Sequence, residues 1–112
     1  MNYISSVISI STANGVVSNL STPYFTITVG NVSGKTIKRI YIEGWEDENT
    51  DGKPGWSYVN DNSIATDHNR KYIIYGQGWS LNSSITLSQI VVYFEDGSSV
   101  VFDEYDCKIM FE

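Results

Sequence analysis

The chain has 112 residues, 41% hydrophobic and 13% aromatic, which fits one globular domain with a single core and excludes a disordered segment. A formal net charge of −6 argues against nucleic acid as a partner, because phosphate binding needs clustered lysine and arginine. The closest basic group, Lys35, Lys38 and Arg39, reads as a solvated strand face.

The opening MNYISSVISISTANG has no basic stretch followed by a continuous apolar run, so it does not read as a signal peptide. No segment approaches the roughly 18 apolar residues of a membrane span. The chain therefore reads as soluble, either cytoplasmic or released by a non-classical route. ISSVISIS alternates and predicts a first strand. PYFTITVG places Phe25, Ile27 and Val29 on one face and Tyr24, Thr26 and Thr28 on the other, a half-buried strand. NVSGK supplies a turn, and TIKRIYIEGW then puts Ile40 and Ile42 opposite Arg39, Tyr41 and Glu43. WSYV and KYIIYG predict two short strands. In QIVVYFEDGSSVVFDEY, two β-rich runs flank Asp96-Gly97, a pair whose positive φ suits a tight hairpin. CKIMFE alternates and predicts a last strand.

Nowhere do apolar residues recur at helical spacing over several turns, and Pro23 and Pro54 fall at a strand start and in a loop. The expectation is an all-β single domain over residues 1–112. About seven to nine short strands would form a two-sheet antiparallel sandwich of immunoglobulin-like type. Phe25, Ile27, Val29, Ile40, Ile42, Val92 and Phe94 are the expected core.

The run FTITVGNVSGKTIKRIYIEGWEDENTDGK, Phe25 to Lys53, with the later QIVVYFEDGSS, resembles the immunoglobulin-like accessory domains of FxLYD type. That resemblance implies a sandwich with a non-catalytic binding or spacer role and assigns no site residues. A second pattern, Asn31, Ser33, Thr36, Ile37, Lys38, Trp45 and Asp51-Gly52-Lys53, followed late by Asp96-Gly97 and Tyr105-Asp106-Cys107, is similar to aegerolysins. It implies a small acidic sandwich that binds membrane lipid.

Two features could carry chemistry. In GWEDENTDGKPGW, Asp47, Asn49 and Asp51 before Gly52 match the first half of a calcium loop. The second half departs, because Gly55 stands at the ninth position and Tyr58 where the bidentate Glu belongs. The loop is therefore read as a turn, with those three residues as the calcium candidates and no cofactor expected. The second feature is the tryptophans. Trp45, Trp56 and Trp79 each follow a glycine at a strand end. Such positions can present an indole face to a sugar ring or a protein, with Tyr58, Tyr72, Tyr75, Asn60, Asp61 and Asn62 completing the surface. Trp45, Trp56, Tyr58 and Trp79 are the expected ligand-binding residues.

Catalysis has little support. His68 is the lone histidine, in the loop-like TDHNRK, and nothing beside Cys107 marks an activated thiol. As the only cysteine it cannot form an internal disulfide, so nothing demands an oxidising compartment. It reads as a small buried apolar residue. The sequence points to a non-enzymatic binding module. The first reading is an acidic protein–protein interaction protein, of immunity or anti-defence type, facing a basic partner. The alternative is a lectin-like or aegerolysin-like protein that binds glycan or membrane lipid through its loop tryptophans.

Overall fold

The alternating stretches pair, all antiparallel, into two four-stranded sheets among the described residues. The structure is a computed structural model that describes residues 2–4, 7–18, 23–46, 55–76 and 85–110, with side chains described within 7–10, 23–45, 55–76 and 85–107. In chain order the elements are β1 (Asn2–Ile4), β2 (Ile8–Ser18), β3 (Tyr24–Asn31), β4 (Ile37–Glu46), β5 (Trp56–Asn60), β6 (Asn69–Tyr75), β7 (Ile85–Phe94), β8 (Ser99–Phe102) and a helix, α1 (Glu104–Met110). One sheet runs β1-β2-β3-β6 and the other β5-β4-β7-β8. The chain thus crosses between sheets after β3, β5 and β6. Pairing β3 with β6 and β4 with β7 is the strand arrangement of immunoglobulin-type sandwiches.

Period-two patterning decides which residues the sheets enclose. Phe25, Ile27 and Val29 from β3 meet Ile40 and Ile42 from β4 and Ile90, Val92 and Phe94 from β7, all buried. All seven expected core residues lie in this cluster. Ile8 and Ile10 extend it on one side, and Tyr72 and Ile74 on the other. A buried aliphatic side chain contributes about 1.5–3 kcal/mol through area removed from water, so this double layer dominates stability.

The two open sides of the sandwich are closed differently. Between the β5 and β6 edges, aromatic rings interlock. Trp56 lies 5.3 Å from Phe25 between ring centroids, and Tyr58 lies 5.6 Å from Tyr72. Near β1, β7 and β8 the closure is α1, which contacts all three strands. This corrects the expected last strand, since Cys107–Met110 of CKIMFE are helical; Phe111 and Glu112 lie outside the described residues. The cause is a reciprocal cap. The amide of Asp106 donates to Asp103 Oδ1 (3.0 Å) and that of Asp103 to Asp106 Oδ2 (3.2 Å), satisfying amides at the helix start that have no intrahelical partner. The acidic first turn also suits the positive end of the helix dipole. Cys107 then points into the core, with its thiol pushed up to about 12, chiefly by burial.

Two turns hold the strands in register. At Asp96-Gly97 the amide of Gly97 donates to Phe94 O and that of Phe94 to Ser98 O. Gly97 alone of the pair has positive φ, 88°. The expected tight hairpin is thus a three-residue loop with glycine in the left-handed position. Asp96 Oδ1 accepts from the Ser98 amide and hydroxyl. Its carboxyl is held down to about 2 by those bonds first and by Lys35 next.

The NVSGK turn is organised by Asn31, which is 1% exposed. Its Nδ2 donates to Lys35 O (2.7 Å) and Ile64 O (2.9 Å), while Oδ1 accepts from the Ser33 amide and hydroxyl. Its backbone joins the 61–68 loop through His68 O and the Asp67 amide. One side chain thereby ties the β3–β4 crossover to the isolated Ile37–Ile64 bridge.

Candidate functional site

The far end of β4 carries Tyr41, Glu43 and Trp45 on its outer face, because alternate residues point the same way. Opposite them on β7 the register shifts. Glu43 faces Gln89 but Gly44 faces Leu87, so Ser88 is an extra residue. Such a bulge re-aims a side chain. Here the Ser88 hydroxyl donates to Glu43 Oε1 (3.4 Å), and Tyr41 donates to Glu43 Oε2 (2.5 Å). The Tyr41 hydroxyl is raised above its ordinary pKa first by that bond to Glu43.

These groups line a cleft of about 380 Å³ with Gly44, Trp45, Gly55, Trp56 and Ser57. The glycines have a packing role. A Cβ on Gly44 would run into the Thr86 carbonyl and come within 2.9 Å of the Trp56 ring, and one on Gly55 would meet the Gly44 carbonyl. Their absence lets β4, β5 and β7 close up and lets the Trp56 indole lie across β4. Pairing of Trp56 with Gly44 turns Trp56 inward, half-buried against Phe25, while Trp45 faces outward at 38% exposure.

The expected binding residues therefore separate. Trp45 and Trp56 meet at the cleft. Tyr58 belongs to the aromatic seam with Tyr72 and accepts a hydrogen bond from Asn60 Nδ2 (3.1 Å). Tyr75 is exposed and lies beside Tyr24, while Asp61 pairs with Arg39. Trp79 and the calcium candidates Asp47, Asn49 and Asp51 lie outside the described residues. Among the described residues no group of three His, Cys, Asp or Glu side chains is placed to hold a metal ion, and no helix is long and apolar enough to cross a membrane. His68 is exposed in its loop, its Nδ1 2.9 Å from Thr66 O. Two of the three clustered basic residues are engaged, Lys35 with Asp96 (3.0 Å) and Arg39 with Asp61.

The sequence reading missed Tyr41, Glu43, Ser57 and Ser88. For the first two the signal was present: Tyr41-x-Glu43-x-Trp45 on a strand must share one face. Chemically, the cleft offers a carboxylate steadied by two hydroxyls next to a partly exposed indole. That set suits a cation, which the carboxylate neutralises and the aromatic face attracts. Comparison of the chain with protein-family models, with curated proteins and with solved structures finds no match.

Proposed function

We propose that this chain is a non-enzymatic binding domain for a basic protein partner, and that the cleft takes a lysine or arginine side chain of that partner. The observation that carries the reading is Glu43, fixed by Tyr41 and Ser88 beside the exposed face of Trp45. The net charge of −6 supports it, because a field of that sign speeds encounter with a basic surface. This is the behaviour of an immunity or anti-defence protein, which occupies the surface its target needs. Binding arrays of lysine- and arginine-bearing peptides test it, using wild type, Glu43→Gln and Trp45→Ala in parallel. Specific peptides should be retained by wild type and lost by both variants. Retention unchanged in Glu43→Gln would sink the reading.

A second reading draws on the same cleft. Trp45 with the Tyr41, Ser57 and Ser88 hydroxyls also suits a sugar ring, stacked on the indole and hydrogen-bonded at its edge. Saturable binding to a glycan array or to liposomes, lost in Trp45→Ala, together with no peptide binding, would favour this lectin-like or lipid-binding role.

A further inference from the structure

The outer face of the β5-β4-β7-β8 sheet carries an apolar row that crosses all four strands. Val59 pairs with Tyr41, Tyr41 with Val91, and Val91 with Val101. A sheet face turned to water ordinarily alternates polar residues outward. Here the two end valines stand 52% and 53% exposed, and Val91 between its neighbours is only 7% exposed although it faces away from the core. The row is flanked by opposite charges. Two residues to one side on β4 stands Arg39, over the Tyr93 ring (5.9 Å) and paired with Asp61. Two residues to the other side stands Glu43.

We infer that this face is a homodimer interface, with a second copy of the chain as its occupant. Charge complementarity selects that occupant. A two-fold axis lying in the face and running along the apolar row places the row on itself and reverses the strands. Arg39 and Glu43 sit about 7 Å to either side of Tyr41, from a rise of about 3.4 Å per residue. The rotation therefore lays Arg39 of each copy over Glu43 of the other, twice, around a desolvated valine and tyrosine centre. This is the self-complementarity an isologous interface requires. With strands about 4.8 Å apart and a rise of about 3.4 Å per residue, the ten residues each of β4 and β7, five of β5 and four of β8 give a face of roughly 470 Å² per copy. The total of roughly 950 Å² lies below the range of stable specific interfaces and in that of weak, transient ones. The dimer is accordingly weak, and its Arg39 enters the cleft assigned above to a partner's cation. Dimer and partner then compete for one face. The inference itself stands on the face geometry and needs no partner.

Sedimentation velocity of the full chain from micromolar to millimolar concentration tests it, with thermal melts confirming that each variant is folded. Wild type should show a reversible monomer–dimer equilibrium. Arg39→Glu and Glu43→Arg should each weaken it about tenfold or more, because each sets like charges face to face. The double variant should recover most of the loss. Arg39 and Glu43 are four residues apart on one extended strand, so recovery cannot come from a pair within one copy. Glu43→Arg is the sharper arm, since it reduces the net negative charge and a general charge effect would strengthen association. Val101→Glu, on an exposed site, should abolish the dimer. A chain monomeric throughout the range, a dimer indifferent to Val101→Glu, or a double variant no better than the singles would overturn the inference. None of these outcomes bears on peptide binding by the monomer.

Discussion

Replacing Asn31 with alanine removes four side-chain hydrogen bonds, two of them to carbonyls that anchor the crossover between sheets. The carbonyls are not left bare, since Lys35 O still accepts from Ser33 Oγ and Ile64 O from the Ile37 amide. The loss is thus the net value of the bonds, about 0.5–1.5 kcal/mol each. The buried bond to Ile64 O and the three part-buried ones to Lys35 O and Ser33 amount to about 2–4 kcal/mol. For a domain of this size that lowers the melting temperature by roughly 8–16 °C. Asn31→Asp is a sharper version, nearly isosteric, with an oxygen now aimed at the same two carbonyls. It should be more harmful than alanine at neutral pH. The burden should ease as pH falls, because a protonated carboxyl can donate to one carbonyl again. Circular dichroism melts from acid to neutral pH measure both effects. A fall of under about 2 °C in Asn31→Ala, or Asn31→Asp no worse than alanine at neutral pH, would refute the assignment of Asn31 as the staple between sheets.

The remaining expectations concern the core, the seam and a surface turn. Ile42→Ala should lose on the order of 2–5 kcal/mol in urea denaturation, its side chain being wholly enclosed between the sheets; a loss below half the lower bound would contradict the face assignment. Trp56→Ala should lose about 3–5 kcal/mol and Trp45→Ala far less, since only Trp56 packs on Phe25; equal losses would contradict their opposite orientations. The Tyr72 hydroxyl is buried with no hydrogen-bond partner among the described residues, so Tyr72→Phe should be neutral or stabilising at pH 7. Burial pushes that hydroxyl up to about 12 from 10.0. The native state then holds a proton that the unfolded chain releases, and stability should fall as pH rises from 10 toward 12, less steeply in the variant. Asp96 lies the other way. With its carboxyl held down to about 2 from 3.8, its contribution is present above pH 3.8 and lost as pH falls toward 2. Asp96→Asn should flatten the stability profile in that window, and an unchanged slope would rule the turn out as its source.

The sandwich was legible because period-two patterning is local and strong. Phe25, Ile27 and Val29, or Ile40 and Ile42, can bury together only if their strands present that face to the core. What failed needed information from further along the chain. CKIMFE alternates over too few residues to outweigh the Asp103–Asp106 cap, whose reciprocal bonds set the helix. The glycine before Trp56 suggests a flexible strand end that can present the indole outward. The indole's direction is fixed by pairing of Trp56 with Gly44, and a one-residue slip would have turned it outward. The cleft needed two such facts, the β4–β5 register and the bulge at Ser88 that brings a hydroxyl to Glu43. Tyr41, Glu43 and Trp45 on one face were within reach of the pattern. Their convergence with Ser57 and Ser88 was not.

Nitrogen–proton correlation spectra of the indole groups, recorded while an oligo-arginine peptide is titrated into wild type and Glu43→Gln, test the cleft most directly. They report even millimolar binding at a named side chain. The indole signal of Trp45 should move saturably in wild type, and the movement should be lost in Glu43→Gln while both proteins remain folded. A Trp45 signal that stays still, or one that moves alike in the two proteins, would contradict a cation site built on Glu43 and Trp45.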